Sequence, residues 1–138
     1  MNPEVQIFSF EAGPLDGLEV GDVLALPSVN MYVIVLDERP GQKQLRVVDG
    51  QIKATGCNVQ WRPEDTTGSP HNPAGKPGMF IDTCGMGRWA ATGDAIAGTS
   101  NPLRTPKFTA FLDDEGRQFV SIEVIGRADP RVTPTPRN

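Results

Sequence analysis

The chain has 138 residues, of which 38% are hydrophobic and 22% charged, with a formal net charge of −4. That length suits one domain with a core of its own, while the acidic balance excludes a purely electrostatic nucleic-acid binder and gives no long-range pull toward an anionic membrane. Fifteen Gly and thirteen Pro cut short runs rich in Val, Ile and Phe, so the expected class is all-β, a small antiparallel barrel or sandwich.

The first residues, MNPEVQIFSFEAG, carry neither a basic region nor a long apolar core and do not read as a signal peptide; synthesis in the cytoplasm is expected. Nothing reaches transmembrane length. Val5 and Ile7 alternate with Gln6, Phe8 and Phe10 as a short strand near a sheet edge. Residues 11–17 form a turn, and LEVGDVLALP (residues 18–27) reads as a strand broken or bulged at Gly21-Asp22. This last run resembles the entry of small SH3-like barrels. The resemblance implies a barrel and carries no activity.

The most apolar run, Met31 to Leu36, is apolar on both faces and predicts a central strand. Pro40-Gly41 fits the central positions of a type II turn, which pairs Leu36 with Leu45 and Ile34 with Val47. Asp49-Gly50 then favours a two-residue type I′ hairpin, with Val47 opposite Ile52 and Leu45 opposite Ala54. Ile34, Leu36, Leu45, Val47, Ile52 and Ala54 would thus share one face of an SH3-like meander in the N-terminal half. The other face would set Arg46 against Lys53, a like-charge pair relieved by Asp37 or by an acidic group on a partner.

Residues 62–78, rich in Pro and Gly, read as a long surface loop, a kind of segment that is either functional or disordered. Beyond it lie short strand candidates at 79–83 and 94–97. KFTAFLDDEGRQFVSIEVI (residues 107–125) is a β-hairpin whose register follows from parity. A three-residue loop, Asp114-Glu115-Gly116, pairs Leu112 with Gln118, Ala110 with Val120 and Phe108 with Ile122. The second face then carries Phe111 beside Phe119, Thr109 beside Ser121, and an ion pair of Lys107 with Glu123. The domain is expected to span residues 1–129. Residues 130–138, with Pro130, Pro134 and Pro136, form an extended arm.

Chemistry is sparse along this chain. Gly75-Lys76 is followed by Pro77 and lacks the glycine spacing of a phosphate loop. One His, His71, and two Cys far apart make no zinc spacing, so no metal or cofactor is expected. Without a secretion signal, Cys57 and Cys84 read as reduced, buried thiols; a bridge stays open because sequence does not supply their separation. Cys84 with His71 is the sole candidate for a cysteine-dependent enzyme, and a buried structural Cys is the commoner case.

The reading is therefore a non-enzymatic structural or assembly protein, of the sort that decorates virions or serves as a minor coat protein. Its partners would be copies of itself or neighbouring subunits, with no membrane and no nucleic acid, and its residence the virion. Phe111 and Phe119, Arg46 and Lys53, and the arm residues Pro130, Arg131, Pro134, Pro136 and Arg137 are the candidate interface. The alternative is a small β-barrel binding module for nucleic acid or another ligand, for which Arg46, Lys53, Trp61 and Arg62 are the only sketch of a basic, stacking surface.

Overall fold

The computed structural model describes residues 7–40 and 42–126. The arm, with Pro130, Arg131, Pro134, Pro136 and Arg137, lies outside the described residues, as does Val5. Among the described residues, ten strands form three antiparallel sheets, none closed into a barrel. The hairpin sheet has the order β1-β10-β9, from β1 (Ile7–Ala12), β10 (Gln118–Ile125) and β9 (Phe108–Leu112). The middle sheet is β2-β3-β4, from β2 (Val23–Leu26), β3 (Met31–Arg39) and β4 (Gln42–Asp49). The third is β5-β6-β7-β8, from β5 (Val59–Arg62), β6 (Met79–Asp82), β7 (Arg88–Ala90) and β8 (Ala95–Ala97).

Two cores explain this order. Val33, Val35, Leu45 and Val47 of the middle sheet pack with Ala12, Val120, Ile122 and Val124 of the hairpin sheet. On the other side, Val48 and Tyr32 pack with Val59, Phe80 and Trp89 of the third sheet. The middle sheet is thus covered on both faces, which is why MYVIVL shows no alternation. Tyr32, Trp61 and Phe80 close the second core, with Phe80 4.8 Å from Tyr32 and 4.6 Å from Trp61 between ring centroids.

The hairpin has the expected register: Phe111 lies opposite Phe119, Thr109 opposite Ser121 and Phe108 opposite Ile122. Gly116 takes φ +77°, the left-handed position that closes the turn. Asp113 stiffens it further by accepting from the N–H groups of Glu115 and Arg117 at 2.9 and 2.8 Å. Lys107 and Glu123 meet through their backbones, the Glu123 N–H donating to the Lys107 carbonyl at 2.9 Å. The expected side-chain ion pair is not among those of the described residues.

The meander departs from expectation at two places. Near the turn the pairs are those a Pro40-Gly41 turn demands, Arg39 with Gln42 and Asp37 with Gln44. A bulge at Leu36 then shifts the ladder, so that Val35 faces Leu45, Val33 faces Val47 and Ile34 faces Arg46. Ile34 therefore lies on the opposite face from Leu45. Because β3 is buried on both faces, either parity satisfies the hydrophobic pattern; Leu36, at the bulge, is left half-buried and outside both cores.

The second departure is Asp49-Gly50, which makes no hairpin. Neither residue has positive φ, and a type I′ turn needs it at both central positions. The Asp49 carboxylate accepts from the Gln51 N–H at 2.9 Å and pairs with Arg104 at 3.2 Å. Gly50 instead lies against Asn30, donating to its carbonyl at 2.8 Å. The chain is diverted to the third sheet: Ile52 joins the second core and Ala54 is exposed. Arg46 and Lys53 are consequently not cross-strand partners. Arg46 donates to the Thr92 carbonyl at 3.1 Å with Asp94 at 3.9 Å, while Asp37 sits beside Arg39 at 3.7 Å.

The SH3-like expectation stops short of closure because, among the described residues, β4 gains no second partner strand. Its Lys43 N–H donates to Gln118 Oε1 at 3.0 Å, and Gln118 Nε2 donates back to the Lys43 carbonyl at 3.1 Å. One buried side-chain amide thus does at this edge what a neighbouring strand would do.

Residues 62–78 are organised rather than loose. Thr66–His71 is a 3-10 helix started by Asp65, whose carboxylate accepts from the Thr67 N–H at 2.9 Å. The buried Asn72 amide donates to the Gly21 carbonyl at 3.1 Å, and Lys76 reaches Asp22 at 2.6 Å and Glu19 at 3.3 Å. These contacts pin the segment beside the Gly21-Asp22 break, where β2 begins. Cys57 and Cys84 are not free thiols: they form a disulfide with sulfurs 2.07 Å apart. The pairing of β5 with β6, which sets Val59 against Asp82, brings the two together.

Candidate interface on the hairpin sheet

Alternation places one face of β1, β9 and β10 in the first core and leaves the other outward. Ile7 lies opposite Ile125 at one end of this outer face, both more than half exposed at 60% and 55%. Phe111 and Phe119 lie opposite each other at the other end, their rings 5.7 Å apart and stacked at 18°. Between the two apolar ends run Ser9, Thr109, Ser121, Lys107 and Glu123. A groove of about 820 Å³ runs between this sheet and β4, lined by Ile7, Ser9, Ser121 and Glu123 on one side and by Gln44 and Arg46 on the other.

The two Phe rings differ in surroundings. Gly13 lies against the Phe119 ring so closely that a β-carbon there would sit 2.7 Å from it. The Arg117 guanidinium is 6.0 Å from the same ring. Arg117 itself is fixed by Asp113 at 2.8 Å. The backbone N–H of Arg117, then the Arg117 side chain, the Glu115 N–H and the Arg117 charge hold the Asp113 carboxyl below the usual carboxylate range. Phe119 is thus braced by its own chain, whereas Phe111 lies on the edge strand; both rings are half-buried.

Of the other candidates, the structure brings Arg46 to the groove and does not bring Lys53 there. Lys53 sits in the exposed turn after β4, beside the third sheet. Trp61 packs on Phe80 and closely against Gly78, so Arg46, Lys53, Trp61 and Arg62 do not make one stacking stripe. His71 ends the 3-10 helix, and Cys84 has no thiol to offer as a nucleophile. Reasoning from sequence missed Ile7 and Ile125. Their exposure follows from the pairing of β1 with β10, two segments more than a hundred residues apart in the chain. No helix is long and apolar enough to cross a membrane among the described residues. No protein-family model matches this chain, and no curated protein is similar to it.

Proposed function

We propose that this chain is a non-enzymatic structural or assembly subunit, of the kind found as virion decoration or minor coat proteins, whose partners are copies of itself or neighbouring subunits. The observation that supports it is the outward face of the hairpin sheet. That face ends in the Ile7–Ile125 and Phe111–Phe119 pairs with a polar strip between, and exposed apolar side chains paired on a sheet face in this way suit a contact site. The arm at 130–138 is a second contact on the same reading, because its three prolines lower the entropy lost when it is ordered on a neighbour. Residues 1–129 are then one domain, its first two sheets a sandwich that relates to an SH3-like barrel left open at β4.

Native mass measurement tests the reading. The full chain should give a multimer, and Phe111→Glu with Ile125→Glu should reduce it to the monomer mass without altering the fold, since both side chains lie outside the cores. Deleting residues 131–138 should weaken assembly in the same assay. A monomer at all concentrations, alone or with its neighbouring subunits, would refute it.

A further inference from the structure

The third sheet carries a pocket that the assembly reading does not use. It measures about 630 Å³ and opens between the 51–55 turn and the 98–104 segment, within the roughly 300–1,000 Å³ range of small-molecule sites. Trp89 and Leu103, 3% and 4% exposed, contribute to its lining, with Ile52 and Met86 beside them. Met86 is 75% exposed, the most exposed large apolar side chain described. The Trp89 indole N–H is already spent on the Asn101 carbonyl at 2.8 Å, so the small part of this buried ring that borders the pocket is apolar and has no donor to satisfy. Gly87 lies against that ring, where a β-carbon would come within 2.5 Å.

Two further features mark this as a built site. The Cys57–Cys84 disulfide ties the turn bearing Lys53 to the loop bearing Met86, so the spacing of these two lining segments is restrained before anything binds. The rim holds two cations, Lys53 and Arg104, against one carboxylate, Asp82. Arg104 is paired with Asp49 at 3.2 Å, and Asp82 accepts from the Cys84 N–H at 2.8 Å. Lys53 is in none of the ion pairs of the described residues. We propose that this pocket beside the disulfide binds a small, flat, apolar molecule bearing one anionic group, the ring system against Ile52 and Met86 near the buried Trp89 and the anion at Lys53.

The experiment is an NMR titration of the full-length, disulfide-intact chain with 2-naphthoate and with its neutral counterpart 2-naphthalenemethanol, following the Trp89 indole N–H. Both probes should shift this resonance saturably and leave the Trp61 indole unmoved. The anion should bind about two- to fivefold more tightly, as one partly exposed charge pair provides. That preference should vanish in Lys53→Gln. Ala54→Trp, which fills the mouth from an exposed position, should abolish the shift for both probes while the rest of the spectrum stays in place. Absence of a saturable shift, or a shift that survives Ala54→Trp, overturns the site. Equal affinity for the two probes overturns the assigned charge.

Discussion

Gln118 shows how much one side chain can hold. It is 3% exposed, its amide makes both hydrogen bonds to Lys43, and its backbone N–H donates to Asp16 at 2.9 Å. Gln118→Leu keeps the volume but strands a buried N–H and C=O, and should cost about 2–4 kcal/mol in urea unfolding. Asp22 works through charge. Burial alone would raise its carboxyl, but the Lys76 hydrogen bond, the Glu19 N–H and the Lys76 charge together hold it below the usual carboxylate range. A depressed folded pKa means that this stabilisation is fully present above the unfolded value and is lost as pH falls through the folded one. Asp22→Asn should therefore flatten the loss of stability as pH falls below the ordinary carboxylate range. An unchanged acid limb would show that Lys76 does not act through Asp22.

Among elements, the disulfide and the hairpin make separate contributions. Cys57 and Cys84 are 27 residues apart in sequence, and closing a loop of that length stabilises the fold by about 3.5 kcal/mol on chain entropy. The double variant Cys57→Ala, Cys84→Ala should lose roughly that much, and reductant should have no further effect on it. In the hairpin, Phe111 and Phe119 should couple by about 0.5–1 kcal/mol in a double-mutant cycle with Leu replacements. Additive single effects would mean that the stacked geometry contributes nothing beyond area.

For the whole molecule, the two cores bury most of the middle sheet and leave its exposed residues mainly at the Asp37–Gln44 end. The surfaces left for function are therefore the outer face of the hairpin sheet and the pocketed end of the third sheet. They lie on different sheets, so substitutions at one should leave the other intact. Phe111→Glu with Ile125→Glu should change native mass without affecting naphthoate binding, and Lys53→Gln should do the reverse. A variant at either site that altered both readouts would show that the two surfaces communicate through the middle sheet.

The sequence by itself determined the features whose causes lie within a few residues. These include the all-β class, the hairpin register from Asp114-Glu115-Gly116 and strand parity, the turn between Arg39 and Gln42, and the central place of MYVIVL. Tertiary structure decided what depended on distant partners. Parity could not choose a face for Ile34 because both sides of β3 are covered, and the bulge at Leu36 is selected by two cores at once. Asp49-Gly50 is an adequate hairpin signal overruled by Asn30 and Arg104, residues that sequence proximity does not connect to it. The disulfide formed because two short strands, β5 and β6, brought its halves together, and Ile7 met Ile125 for the same reason. Local propensity sets turns and strand periods, whereas register between faces, bridges and exposed pairs are set by which segments the folded chain places side by side.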